Sequence, residues 1–320
     1  MNREDFYNEI IEAVREEVPD MLKEFVSVER IERMKVNDEK LIGICVRISE
    51  TGVAPTIYLD DFYEAYQDGV PAEKIAQHIL CMTAEAGMHA PEVEGVSMNY
   101  EDIADKLTMQ MVEGERNKER LKGLLYRPIG NGMVLIPYIE LGRDENGGYR
   151  AEVTKGMAED FEYDVEALLD RAFDNLLEQK EPMLFKMGAE HQMFGEFPEG
   201  HNPMDEDFSL DSEPGMYILT NRYKDEGASV LFYPGMDERI GELLGSNYFA
   251  LPSCLDEFII VPEGNGPGLE HLREVVKEAN RTVIPPDKIL SDRVLYFDRE
   301  KNKLYEPKGR ERDGDERGDR

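Results

Sequence analysis

The sequence is short of positive charge, and this shortage excludes several kinds of partner. Its 320 residues contain 37 Lys and Arg against 69 Asp and Glu, so the formal net charge is -32. Nucleic-acid affinity comes mainly from Lys and Arg that neutralise phosphates, and anionic lipid surfaces likewise attract basic segments. We therefore expect neither direct nucleic-acid binding nor docking on a membrane. The acidity extends over both halves of the chain, which indicates an acidic surface rather than an acidic tail.

Long apolar runs are also missing. The longest, "MVLIPYIEL", has the length of a strand and is too short to span a bilayer. The first residues, "MNREDFYNEIIEAV", are acidic and amphipathic, without the basic and apolar regions of a signal peptide. These features predict a cytoplasmic protein.

Cysteine is scarce. The chain has three cysteines, Cys45, Cys81 and Cys254, which lie far apart and match no metal-ligand spacing. An odd number of dispersed cysteines is typical of reduced thiols in a cytoplasmic protein. The sequence accordingly predicts no disulfide framework.

Helical and strand-like apolar patterns alternate along the chain. Apolar residues at three- and four-residue steps predict an amphipathic helix over residues 2–23. "MYILTN" and "ASVLFY" are predicted strands, and Asp164 is predicted to open a helix. The segment from Tyr100 to Leu125 reads as helical, with a strand at Leu107–Val112 as the alternative. Tight turns between strand pairs favour an α+β fold of two lobes with mostly antiparallel sheets flanked by helices.

A change of composition suggests the domain limits. Residues 181–215 scatter Pro, Gly and acid without period, which indicates an acidic linker or long loop. We predict an N-terminal α+β lobe over residues 1–180 and a C-terminal α+β lobe over 216–307. The last residues, 308–320, mix both charges with glycine and predict a disordered tail.

Two adjacent residues, Ser253 and Cys254, raise the question of a nucleophile. A nucleophile elbow needs small glycine neighbours, whereas Pro252 and Leu255 flank this pair. A reactive thiol needs a base and an electropositive setting, whereas acidic residues follow Cys254. The pattern therefore favours a turn at a strand end, and we predict no catalytic residue here.

The acidic loop offers a candidate metal site. Its histidines and carboxylates are ligands that suit zinc, manganese or iron. No H-E-x-x-H motif or other ligand spacing appears, and a solvated acidic loop is the favoured alternative. We expect no cofactor in the favoured interpretation. The residues proposed as ligands in the metal alternative are Glu190, His191, Glu199 and His201.

An aromatic cluster offers a candidate ligand site. Four aromatic residues follow one another from a predicted strand into a helix: Tyr58, Phe62, Tyr63 and Tyr66. Such spacing is typical of core or interface packing. A ligand groove lined by these rings is the alternative.

Four segments together resemble a known family. They are "PTIYLDDFYEAYQDGV", "GMYILTNRYKDEGASVLFYPGM", "NYFALPSCLDEFIIVPE" and "ANRTVIPPDKILSDRVLYFDRE". In combination they resemble a bacterial family known only as a domain of unknown function, common in gut anaerobes and found among accessory genes. The resemblance covers nearly the whole chain except the charged tail. It implies a shared C-terminal framework and supplies no activity, cofactor or catalytic residue.

Three functions remain open on the sequence alone. The first is a non-catalytic acidic cytoplasmic protein that binds a protein or a small ligand. The second is a metal-dependent hydrolase that uses the loop from His191 to Asp207. The third is a nucleic-acid mimic that inhibits a DNA-binding protein, which requires carboxylates in rows at phosphate-like spacing.

Overall fold

The chain folds into two compact units, Met1–Asp102 and Ile103–Arg320. The computed structural model describes residues 2–48, 56–89, 99–144, 147–161, 163–188, 201–210, 215–264 and 267–308. Within these ranges every helix is too short or too polar to cross a lipid bilayer. The division between units does not coincide with the predicted limit at residue 180.

The N-terminal unit is a three-stranded antiparallel sheet covered by helices. Its sheet has the order β1-β2-β3, and the core lies between this sheet and the first and third helices. The elements are α1 (Arg3–Glu17), β1 (Val26–Met34), β2 (Lys40–Ile48), β3 (Thr56–Tyr58), α2 (Tyr63–Gln67), α3 (Ala72–His89) and α4 (Tyr100–Ile103), which reaches the division.

Helix α1 confirms the predicted amphipathic helix. Asn2 caps it, because its side chain accepts a hydrogen bond from the Asp5 N–H at 2.9 Å. The apolar residues Phe6, Ile10 and Val14 recur at four-residue steps and are fully buried against the sheet and α3. Burial of one helical face, more than helix propensity, holds such a helix in place.

The C-terminal unit contains two antiparallel sheets. The first has the order β4-β6-β5, with β7 also paired to β6, and the second has the order β13-β12-β10-β11-β9-β8. Its strands and helices are β4 (Leu107–Glu113), β5 (Arg127–Gly130), β6 (Met133–Asp144), β7 (Gly147–Glu152), α5 (Lys155–Asp160), α6 (Val165–Gln179), β8 (Pro182–Lys186), β9 (Tyr217–Asn221), α7 (Met236–Leu244), β10 (Tyr248–Cys254), β11 (Glu257–Pro262), α8 (Leu269–Thr282), β12 (Leu295–Asp298) and β13 (Lys303–Tyr305). The predicted α+β class with mostly antiparallel sheets is confirmed.

Helices α6 and α8 cover the sheets. Asp164 caps α6 as predicted, since its carboxylate accepts from the Ala167 N–H at 2.8 Å. Further along α6, the Asn175 amide donates to the carbonyl oxygens of Ala104 and Leu107 at 2.7 and 2.8 Å. These bonds tie α6 to the start of β4 and satisfy polar atoms that packing buries. Helix α8 packs its apolar face on β10 and β11.

Three local predictions need correction. The stretch "ASVLFY" is not a strand, because Gly227–Phe232 forms a 3-10 helix whose residues from Gly227 to Leu231 are buried. The strand alternative for Leu107–Val112 is right, since Leu107–Glu113 forms a strand that pairs with β6 and all seven of its residues are buried. Pro182–Lys186, which we placed in the linker, forms β8 and pairs with β9. A continuous apolar run does not distinguish a buried strand from a buried helix, which explains the first two cases.

Candidate functional site

A cavity of about 700 Å³ opens in the C-terminal unit. Strands β6 and β7, the end of α6, the turn after β9 and the 3-10 helix Pro286–Lys288 contribute side chains to its wall. The residues that line it are Asp105, Lys106, Tyr138, Glu140, Leu141, Gly142, Arg150, Gln179, Lys180, Tyr223, Asp225, Glu226 and Lys288. The volume is within the range of small-molecule sites, about 300–1,000 Å³, but the wall is far more polar than usual.

Glu226 carries a buried carboxylate in the cavity wall. It accepts hydrogen bonds from the Gln110 amide at 2.5 Å, from the Tyr138 hydroxyl at 2.9 Å and from the Arg150 guanidinium. Its side chain is only 7% exposed. Three donors on one buried carboxylate offset its loss of hydration, which would otherwise strongly disfavour the charge.

The backbone of Glu226 has an uncommon conformation. Its φ of 55° and ψ of 29° lie in the left-handed region, which non-glycine residues rarely occupy. The Glu226 N–H donates to the Asp256 carboxylate at 2.9 Å, and this bond holds the turn against the loop between β10 and β11. Backbone conformations of this kind persist where the surroundings impose them, often at functional sites.

Close packing of Gly227 fixes the same turn. A Cβ atom on Gly227 would lie 2.5 Å from the Asn221 nitrogen and 2.7 Å from the Asp256 carbonyl oxygen. The Thr220 hydroxyl donates to that carbonyl at 2.6 Å. Only glycine fits this position, so the Glu226 side chain is directed into the cavity by a rigid support.

Burial and charge determine the protonation of the groups around Glu226. Burial raises the pKa of Tyr138, and the neighbouring Glu226 carboxylate raises it further, so the hydroxyl stays protonated and donates. Burial alone would lower the pKa of Arg150, but the attraction of Glu226 outweighs it and the pKa is raised. Tyr138 is therefore a fixed donor and Arg150 a fixed cation at neutral pH.

Two lysines of the wall form further ion pairs. Lys180 donates to Glu140 at 3.0 Å and lies 5.1 Å above the centre of the Tyr223 ring. Lys288 lies 3.2 Å from both carboxylate oxygens of Asp256. Burial lowers the pKa of Lys288, but Asp256 and other nearby carboxylates prevail and leave it raised. The cavity thus contains ammonium, guanidinium and carboxylate groups, and the pKa values of the cations Arg150 and Lys288 are raised.

The predicted metal ligands lie mostly outside the described residues. Glu190, His191 and Glu199 are among residues that the structure does not describe, while the His201 carbonyl oxygen accepts from the Leu184 N–H at 2.9 Å. Across the described ranges, histidines, cysteines and carboxylates form no group of three able to hold a metal ion. The proposed metal set stays a prediction.

The predicted aromatic site lies in the N-terminal unit. Tyr63 and Tyr66 pack on Phe6 of α1 with ring centroids 5.1 and 4.9 Å away, and Phe62 contacts the His78 ring at 6.0 Å. Tyr58 lies under the Lys35 ammonium at 4.7 Å. These contacts match core and surface packing of the unit. A ligand groove along these rings stays a prediction.

Cys254 has the environment of an unreactive thiol. Burial raises its pKa to about 11, and the carboxylates of Asp256 and Glu257 also raise it. A thiolate is therefore scarce at neutral pH, in agreement with the expected turn at a strand end.

The residues of the cavity were missed because they come from separate segments. One signal was present in the sequence: Tyr138 and Glu140 are two apart in β6, and Arg150 and Glu152 are two apart in β7, so each pair shares a face of its strand. Charged residues that follow an apolar strand on a single face are a reasonable indicator of a polar site.

Comparisons with known proteins assign the chain to a family whose function is unknown. A sequence model of one family matches residues 7–299, and that family is described as a family of unknown function (DUF5688). Neither the curated proteins nor the solved structures contain a match to the chain.

Proposed function

Since the chain belongs to the family of unknown function DUF5688, we propose a function from its cavity: the protein binds a small polar ligand there and acts without catalysis. The observation that carries the proposal is the Glu226 turn. The backbone of Glu226 is in the left-handed region, and its buried carboxylate lines a cavity of about 700 Å³. Such an arrangement costs free energy, which a purely structural role does not require.

The chemistry of the wall supports binding rather than turnover. The described lining residues include tyrosine, lysine, arginine and carboxylates, but neither histidine nor cysteine. Tyr138 has a raised pKa and is a donor rather than a base. Glu140 and Arg150 are held by Lys180 and Glu226 of the wall, and Lys288 is held by Asp256, as in a preformed site that orients a ligand through hydrogen bonds.

The setting that we propose is the cytoplasm of a bacterium, with the protein an accessory-gene product. A net charge of -32 favours solubility and repels polyanions. A small ligand therefore fits the chain better than a nucleic acid does.

The test is a binding screen with a variant that blocks the cavity. Gln179 ends α6 at the cavity wall, and its neighbour Glu178 is exposed on the same helix away from the wall. Ligand-observed NMR would monitor the full chain in mixtures of amino acids, sugars, carboxylates, nucleosides and phosphate esters. We expect at least one compound to bind the native chain and the Glu178→Trp control, and to lose binding to Gln179→Trp.

Two results would overturn the proposal. One is a bound compound that Gln179→Trp and Glu178→Trp hold equally well, because binding would then occur elsewhere. The other is no binding by any class at millimolar concentration.

A further inference from the structure

Three charged side chains of the cavity remain partly exposed to solvent. Glu140, Arg150 and Lys288 are 41%, 41% and 40% exposed. Their partners inside the wall include Lys180 and Glu226, each only 7% exposed. Among the charges of the wall, these three are thus half-exposed groups whose positions are fixed, Glu140 by Lys180, Arg150 by Glu226 and Lys288 by Asp256.

The sheet places opposite charges side by side. Glu140 on β6 and Arg150 on β7 are register partners in the antiparallel ladder. Side chains directly opposite each other share one face of the sheet, with Cβ atoms about 4.5–5.5 Å apart. Yet Glu140 pairs with Lys180 and Arg150 pairs with Glu226, so within the described part of the chain these two neighbours form no ion pair with each other.

Hydrogen-bonding capacity remains on the exposed groups. A guanidinium has five N–H donors, and described residues accept from one nitrogen of Arg150, its Nη1. A carboxylate has about four acceptor sites, and described residues donate one bond to Glu140. Glu226, in contrast, already accepts from three donors. A ligand can thus supply an oxygen acceptor to Arg150 and an N–H donor to Glu140.

Charge balance selects among ligands. The wall contains four cations and four carboxylates, so its formal charge is zero in a chain of net charge -32. A ligand of net negative charge meets repulsion from the chain as a whole. A ligand of net positive charge lies against Arg150, Lys180 and Lys288. A neutral ligand with both charges avoids both penalties.

We infer that the ligand is an amino-acid-like zwitterion. Its carboxylate binds the Arg150 guanidinium with the Lys288 ammonium, and its ammonium binds Glu140. Arg150 and Lys288 both interact electrostatically with the carboxylates of Asp225 and Glu226, so the two cations lie around the same turn. The cavity is larger than these charged groups require and leaves space for a substituent. This inference rests on the proposed function, because it names the ligand class for the same cavity.

The test uses matched probes by isothermal titration calorimetry on the full chain. The probes are the common L-amino acids and their glycyl dipeptides, followed by the N-acetyl and C-amide forms of each compound that binds. The N-acetyl form keeps only the negative charge and the C-amide form only the positive charge. We expect either change to weaken binding about tenfold or more, as loss of a charge-assisted hydrogen bond does.

Variants assign each charge to its partner. Glu140→Gln should weaken the zwitterion about tenfold and leave the N-acetyl form unchanged. Lys288→Met should weaken the zwitterion and the N-acetyl form, and leave the C-amide form unchanged. Lys118→Met is the control, since Lys118 is exposed and its ion pair with Glu115 lies outside the cavity. Because the probe series uses the native chain, the test does not depend on the folding of any variant.

The two proposals fail in distinguishable ways. If the N-acetyl form binds as tightly as the zwitterion, or if the cavity binds another class while every zwitterion fails, the zwitterion inference is wrong and ligand binding stands. If nothing binds, or if Gln179→Trp changes nothing, the proposed function fails and the inference fails with it.

Discussion

Substitution of Gly227 by alanine tests the rigid support of the cavity. The added Cβ would lie 2.2 Å from the Thr220 hydroxyl oxygen, 2.5 Å from the Asn221 nitrogen and 2.7 Å from the Asp256 carbonyl oxygen. Two of these three atoms belong to the backbone of neighbouring segments, so a side-chain rotation cannot relieve the clash. Overpacking of this kind costs about 1–3 kcal/mol and sometimes more. With three contacts below 3 Å, we expect about 3 kcal/mol.

The assay is thermal and urea unfolding followed by circular dichroism. For a folding unit of roughly 150–250 residues, each kcal/mol shifts Tm by about 2–4 °C. We therefore expect Gly227→Ala to lower the Tm of the C-terminal unit by about 6–12 °C. The control is Gly123→Ala in the same unit, because a Cβ there meets nothing within 4 Å. That change should leave Tm unchanged or slightly higher, since alanine restricts the unfolded chain.

Equal melting of the two glycine variants would contradict this role of Gly227. If Gly227→Ala and Gly123→Ala melt within about 2 °C of each other, the close approach of the three segments does not hold the turn. A lowered Tm with unchanged zwitterion binding would show that the packing of Gly227 stabilises the unit but does not determine the position of Glu226.

Three further predictions concern single groups. Tyr138→Phe should lower the free energy of unfolding by about 1 kcal/mol in urea, because Glu226 loses one of three donors; an unchanged midpoint would contradict this. Phe6→Ala should cost about 3–5 kcal/mol and make the N-terminal unit open first in hydrogen exchange, since Phe6 is fully buried; uniform exchange of both units would contradict it. At pH 8 an aromatic disulfide reagent should modify exposed Cys81 quickly and Cys254 slowly, with the Cys254 rate rising towards its pKa of about 11; equal rates would refute that account.

The fold class was predictable because its signals are local. The spacing of Phe6, Ile10 and Val14 is enough to predict α1, and Asp164 is enough to predict the start of α6. The segment Gly227–Phe232 was not predictable, because a short apolar run has the same composition in a strand and in a buried 3-10 helix. Its conformation depends on Asp256, which is distant in sequence, and on Thr220, which lies in strand β9.

The cavity was not predictable for a related reason. Glu140 and Arg150 become neighbours through a register that the sequence does not state, and Lys288 reaches the same wall from the end of the chain. No two of these three residues lie within one motif. Clusters of aromatic residues and histidines are visible in the linear sequence, whereas these three residues are scattered among the 106 charged residues of the chain.

The charged interior at Glu226 supports the proposed binding role more than a stabilising one. Replacing a buried ion pair with apolar residues of similar volume is often neutral or stabilising, so the Glu226–Arg150 pair is weak evidence of a structural need. The left-handed backbone at Glu226 adds a cost of order 1–3 kcal/mol. A leucine in that position would avoid the desolvation of a carboxylate but would leave Arg150 without its anchor. The arrangement instead holds the Arg150 guanidinium at one place in the cavity. Its neighbour on β6 is the Glu140 carboxylate, and among the described residues the two form no ion pair with each other.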